Sequence, residues 1–110
     1  MDPKYAVKLR DLHERLIERV GTLDPAVRRA AAKGAGVPEP LAPFVDKVRR
    51  QAYTVTDGDV EGLRAAGYSE DQIFELTVAA AYGAARKRLD AGLAAMAPVL
   101  LPEPEPEPAP

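Results

Sequence analysis

Tyr68-Ser69-Glu70-Asp71-Gln72-Ile73 followed by Thr77-Val78-Ala79-Ala80-Ala81-Tyr82-Gly83-Ala84-Ala85 reads as the start and middle of one long helix. Ser69 and Gln72 are spaced for a capping box, each side chain serving the other residue's amide, and Tyr68 and Ile73 are placed to staple the entry. No proline interrupts Glu70 to Met96, so the helix can run about 40 Å at 1.5 Å per residue. Its middle is small and apolar on nearly every face. A helix without a polar face is buried all round, so this one is expected at the centre of a bundle or at a subunit interface.

Upstream, the chain reads as four shorter helices. Asp2-Pro3 and Asp24-Pro25 each pair a capping residue with proline at the first helical position. Leu9, Leu12, Leu16 and Val20, with Ile17 beside them, recur at helical spacing and are the expected inner stripe of the first helix, which should end at Gly21. Val27, Ala30 and Ala31 face inward on the second, which stops at Gly34 and Gly36. Val37-Pro38-Glu39-Pro40 is extended, because residues before proline avoid the helical region, although the path of residues 34–43 stays open. Pro43 opens the third helix, with Phe44, Val45, Val48 and Ala52 on one side. Thr56-Asp57-Gly58-Asp59 starts the fourth, which rests on Val60 and Leu63 and halts at Gly67. No strand signal stands out. The expected fold is an all-α compact bundle of about five helices over residues 1–97, followed by an extended, disordered Glu-Pro tail over 98–110, which holds six of the eleven prolines.

Composition narrows the chemistry. The 110 residues include no cysteine and one histidine, so disulfides, thiol redox chemistry and multi-histidine metal centres are excluded. No apolar run reaches the ~20 residues a membrane-spanning helix needs. The opening Met1-Asp2-Pro3-Lys4 does not resemble a secretory signal, so a cytoplasmic address is expected. Fifteen basic and 17 acidic side chains give a net charge of −2, and the tail's Glu103, Glu105 and Glu107 supply the acidity. Alanine provides 20 of the 51 hydrophobic residues; a core so poor in large side chains needs a partner surface, and self-association is the simplest source.

Each feature that could carry chemistry has a plainer reading. His13 sits beside the apolar stripe as a boundary histidine, and Ser69 is occupied by its cap, so no hydrolase triad forms. The scattered glycines make no phosphate loop. Asp57-Gly58-Asp59 resembles part of a calcium loop but lacks the later ligands, and capping explains it. Helix–turn–helix over residues 57–77 also matches the outline of a DNA reader or a small ubiquitin-binding bundle, but Glu70, Asp71 and Glu75 at the head of its second helix would repel phosphate. Arg28-Arg29, Arg49-Arg50 and Arg86-Lys87-Arg88 read as solvated faces balanced by nearby acids.

The run Val55-Thr56-Asp57-Gly58-Asp59-Val60-Glu61-Gly62-Leu63-Arg64-Ala65-Ala66-Gly67-Tyr68-Ser69-Glu70-Asp71-Gln72-Ile73-Phe74-Glu75-Leu76-Thr77 resembles the second half of the carboxymuconolactone decarboxylase and alkylhydroperoxidase D-like superfamily. In that superfamily a similar run feeds a long alanine-rich helix ending in an arginine–leucine pair, here Arg88-Leu89. Thr22-Leu23-Asp24-Pro25-Ala26-Val27-Arg28 is similar to the segment before its active helix. The likeness spans residues 55–96, more weakly 20–54. It implies an all-helical fold assembled into trimers, hexamers or related rings. Its peroxidase members act through a Cys-x-x-Cys pair with a glutamate and a histidine, and its decarboxylase members through acid–base residues. Here Arg29 to Tyr53 contains neither cysteine nor histidine, and Ala84 and Lys87 stand near the places of the family's asparagines.

The leading expectation is therefore a non-redox, non-catalytic homo-oligomer, trimer or hexamer, serving as scaffold or small-molecule binder. It needs no cofactor and no metal, and binds neither nucleic acid nor membrane. One alternative is a cofactor-free lyase or decarboxylase with an inter-helix pocket, for which Tyr53, Glu75, Tyr82 and Arg88 are the candidate residues. Another is a monomeric interaction module acting through the Glu-Pro tail.

Overall fold

The computed structural model describes residues 2–100. Five α-helices follow one another: α1 (Pro3–His13), α2 (Pro25–Lys33), α3 (Leu41–Gln51), α4 (Asp57–Ala65) and α5 (Glu70–Leu100). A wide turn, Glu14–Glu18, extends α1, and a tight one, Ala52–Thr54, extends α3. Among the described residues there is no strand, and the expected all-α bundle of five helices is the fold observed.

The starts follow the local chemistry of the chain. Asp2 accepts from the Lys4 amide at 2.9 Å and Asp24 from the Ala26 amide at 2.8 Å, each with proline opening the helix. Thr56 and Asp59 form a complete capping box on α4. On α5 the Ser69 amide donates to Gln72 at 2.9 Å and the Gln72 amide to Ser69 at 3.1 Å. Gly34 ends α2 at φ 74°, a left-handed conformation that glycine adopts without a Cβ penalty. The path left open over 34–43 passes left-handed Gly36 and then departs from the extended course expected of Val37–Pro40: Glu39 and Pro40, joined by a cis bond, form a turn closed by the Leu41 amide donating to the Pro38 carbonyl at 2.9 Å.

α5 is the axis on which α2 and α3 pack, with α4 and the turn after α1 closing the ends. Ile17, Leu41, Val45 and Leu76 are fully buried, joined by Phe44, Val48, Leu63, Ile73 and the alanines 31, 79 and 80. Small residues set the spacing. A Cβ on Gly83 would strike the carbonyl oxygen and backbone of Ala32, so α2 and α5 meet backbone to backbone at this point.

Several expectations are corrected. Of the α1 stripe only Ile17 is buried, Leu12 being 42% and Val20 93% exposed. The wide turn at Glu14–Glu18 adds a residue to the helical repeat, and the chain leaves the helix at Arg19 (ψ 150°), ahead of Gly21. Pro43 does not open α3, which starts two residues earlier at Leu41, and Ala52 is exposed because the tight turn rotates it off the inner face. α5 is not buried all round in the single chain: Ala81 and Ala85 are exposed and Phe74 is 69% exposed. Nor does helix end before Pro98. The ring's own φ is helical, so α5 continues through Pro98 to Leu100 at the cost of one amide–carbonyl bond and crowding of the Ala94 carbonyl. The rest of the expected tail lies outside the described residues.

Gly83→Ala forces α2 and α5 apart or strains them, a loss of about 1–3 kcal/mol by overpacking. At about 4–8 °C per kcal/mol for a domain of this size, a thermal melt should fall by several degrees at least. Gly62→Ala on α4, where a Cβ meets open space, should leave the melt unchanged or raise it.

Candidate functional site

The four residues expected to line a catalytic pocket do not meet. Tyr53 sits in the tight turn after α3 and is 86% exposed. Glu75, Tyr82 and Arg88 lie along α5 at successive steps of about 10 Å (1.5 Å per residue). Each is engaged separately.

Glu75 holds the loop between α1 and α2. Its carboxylate accepts from the Thr22 amide at 3.1 Å, the Leu23 amide at 2.8 Å and the Thr22 hydroxyl. Burial, the largest single influence, pushes its pKa up. The Thr22 hydroxyl, the Leu23 and Thr22 amides and the Arg28 charge together outweigh burial and hold the carboxyl below its usual value. A carboxylate stabilised in its ionised form by three donors is a loop anchor and a poor proton donor.

Arg28, 3% exposed, grips the same loop from α2, donating to the carbonyls of Leu16 and Arg19. Tyr82 turns inward, its ring centroid 5.8 Å from that of His13, with its hydroxyl buried and without a hydrogen-bond partner among the described residues. His13 stands at the boundary of the core, Nε2 3.5 Å from Glu18, as expected for that residue. Arg88 donates to the Arg49 carbonyl at 3.0 Å and thereby caps the end of α3.

Two clefts were not legible in the sequence. One, about 750 Å³, lies between α3 and α4 and includes Pro40, Phe44, Lys47, Asp59 and Leu63 in its walls. In it Lys47 and Asp59 form an ion pair at 2.8 Å, and Asp59 also accepts from the Thr56 amide at 2.9 Å. Lys47 first, then that amide, holds Asp59 below the usual carboxylate range. Asp59 thus serves as cap and counter-ion; the capping role expected of Asp57-Gly58-Asp59 is the one observed.

The other cleft, about 790 Å³, opens where α2 and α3 end against α5. Lys33, Arg49, Arg50, Lys87 and Arg88 line it, with Asp46 as its one carboxylate among the described residues. Arg49 donates to the carbonyls of Ala31 and Ala32, and Arg50 to Asp46 at 2.7 Å. In the sequence Arg49-Arg50 and Arg86-Lys87-Arg88 read as separate solvated faces, and Lys33 belongs to neither. Three helices bring them together, which no short-range pattern reveals.

Among the described residues no group of three or more acidic or histidine side chains is placed to hold a metal ion, and no helix is long and apolar enough to cross a membrane. Comparison with protein-family models, with curated proteins and with solved structures returned no match.

Replacing Glu75 tests its assignment as an anchor. A native pKa below the usual 4.5 means that the stabilisation is full above the unfolded-state pKa and lost as pH falls through the native one. Glu75→Gln should lower urea-unfolding stability at pH 7 by about 2 kcal/mol, the scale of hydrogen bonds to a charged group. The gap from wild type should shrink as pH drops from about 5 to 3, within the carboxylate titration range. A gap that stays constant across that window excludes the assignment.

Proposed function

We propose that this protein is a non-redox, homo-oligomeric helical scaffold, a divergent member of the carboxymuconolactone decarboxylase and alkylhydroperoxidase D-like superfamily, that self-associates through the outer face of α5. One observation carries the reading. Phe74, Val78, Ala81, Ala85, Leu89, Gly92 and Met96 recur at helical spacing on the side of α5 turned away from the core. Phe74 is 69%, Leu89 42% and Met96 50% exposed, and Ala81, Ala85 and Gly92 are exposed with them. Such a stripe on a helix already buried on its opposite side marks an interaction face.

The order of sizes along the stripe favours a second copy of the chain. Two α5 helices laid antiparallel about Ala85 place Phe74 against Met96, Val78 against Gly92, Ala81 against Leu89, and Ala85 against itself. Large side chains meet small or flexible ones at every step, the complementarity that close helix packing requires. This is an isologous contact, as in a dimer or in a hexamer built from two-fold pairs. The five-helix architecture and the resemblance over residues 55–96 support the superfamily part of the proposal.

The lyase alternative loses its support, because Tyr53, Glu75, Tyr82 and Arg88 are dispersed and three of them serve packing or capping. Thiol peroxidase chemistry is excluded by a chain without cysteine.

Native mass spectrometry of the wild-type chain should show a closed oligomer with an even number of subunits. Ala85→Glu places two carboxylates on the two-fold axis without touching the core, and should yield monomer with unchanged far-ultraviolet circular dichroism. A wild-type monomer at tens of micromolar, or an Ala85→Glu variant that keeps its subunit number, would sink the proposed interface.

A further inference from the structure

The cleft at the ends of α2 and α3 is charged beyond what the fold uses. Arg49 and Arg88 cap helix ends, and Arg50 pairs with Asp46. Lys33 and Lys87 are exposed and have no ion pair among the described residues. Among those residues, five cations face one carboxylate and two helix C-termini, each of the latter carrying about half a negative charge. About three positive charges remain uncompensated on a concave surface.

Two of the cations are also held in place by the fold. Arg49 lies across Gly34, where a Cβ would strike its Nε and Cζ, and its Nη1 donates to the carbonyls of Ala31 and Ala32. Arg88 uses Nη2 on the Arg49 carbonyl, and Arg50 uses Nε on Asp46. A guanidinium has several donors, so each of the three keeps N–H groups beyond these bonds. Donors fixed in advance lose little freedom when an anion arrives.

We propose that this cleft binds a small polyphosphate, with Lys33 and Lys87 as its free counter-charges and Arg49, Arg50 and Arg88 as its hydrogen-bonding wall. Guanidinium groups match two phosphate oxygens at once, and they are three of the five cations. The volume, about 790 Å³, lies within the range of small-molecule sites, about 300–1,000 Å³. No aromatic side chain lines the cleft among the described residues, so nothing there stacks a nucleobase, and recognition rests on the phosphate chain. The chain as a whole has 15 basic and 17 acidic side chains. With five of the cations gathered at the cleft, the rest of the chain has an acidic excess, which would repel a nucleic-acid backbone running beyond it.

Isothermal titration calorimetry of the full chain with inorganic triphosphate tests the proposal. One triphosphate should bind per chain, and affinity should fall as salt rises from about 20 to 200 mM and screens the cations. Lys33→Gln combined with Lys87→Gln should weaken binding about tenfold, or about 1.4 kcal/mol, for two charge contacts at an exposed site. Lys4→Gln combined with Lys8→Gln, on α1, should leave it unchanged, and circular dichroism checks that both variants are folded. Amide shifts on adding triphosphate should concentrate at Gly34, Gln51, Ala84 and Ala91, around the cleft. Citrate, which offers negative charge without phosphate geometry, should bind several-fold more weakly. No binding at low salt, an unaltered affinity in the Lys33 and Lys87 variant, or an equal loss in the Lys4 and Lys8 variant overturns the proposal. So do amide shifts away from the cleft, citrate binding as tightly as triphosphate, or a single-stranded oligonucleotide binding more tightly, which would assign the cleft to a nucleic-acid backbone.

Discussion

The loop between α1 and α2 is read from two sides by opposite charges, and the arrangement of the helices depends on that grip. Arg28 of α2 takes the carbonyls of Leu16 and Arg19, where the first helix runs out, and Glu75 of α5 takes the amides of Thr22 and Leu23. A helix end exposes carbonyls and an irregular loop exposes amides, and both must be satisfied once buried. Here a guanidinium serves the acceptors and a carboxylate the donors. The two charges also stabilise each other. Removing either leaves the other, and half of the loop's polar groups, without compensation. The same grip seats Ile17 and Leu23 in the core and draws α2 against α5, where Gly83 admits the Ala32 backbone.

What was legible in the sequence was whatever a few neighbouring residues decide. The caps at Asp2, Asp24, Thr56 and Ser69 are hydrogen bonds spanning two or three residues, and all four form as their spacing implies. Phe44, Val45 and Val48 share a face within one helix, and all three are buried. α1 misled because its register is set from afar: the wide turn at Glu14–Glu18 and the exit at Arg19 meet Arg28, and periodicity alone carries no trace of that contact. Glu75 stands out in the sequence as a polar group beside an apolar helix, but its hydrogen-bond partners lie more than fifty residues away, and only the fold assigns it to anchoring. The basic cleft was hidden for the same reason. Its cations come from α2, α3 and α5, and each pair looks balanced within its own segment.

A chain with so much alanine cannot fill a deep core, and α5 shows how it is organised instead. On the inner side, Ala79, Ala80 and Gly83 bring helices close, so that contact comes from backbone proximity where large side chains are scarce. On the outer side, Phe74, Leu89 and Met96 stand exposed with small residues between them, a surface that leaves apolar area in water while the chain is alone. One helix is thus shaped for close neighbours along two of its sides. The bundle supplies the inner neighbour, and in the proposed assembly a second α5 supplies the outer one.

Charge is partitioned as sharply as size. The outer stripe contains no ionisable side chain from Phe74 to Met96, whereas the cations Lys87 and Arg88 lie on the side of α5 next to the α2 and α3 termini. Apolar stripes confer affinity but tolerate sliding, because neighbouring registers bury similar area; fixed charges are what penalise a wrong register. The partition therefore gives the apolar stripe and the basic cleft different physical characters. Self-association through the stripe depends on size matching and should be insensitive to salt, whereas the field of the clustered cations in the cleft weakens as ions screen it. Because the two surfaces lie on different sides of α5, ionic strength acts on one and leaves the other in place.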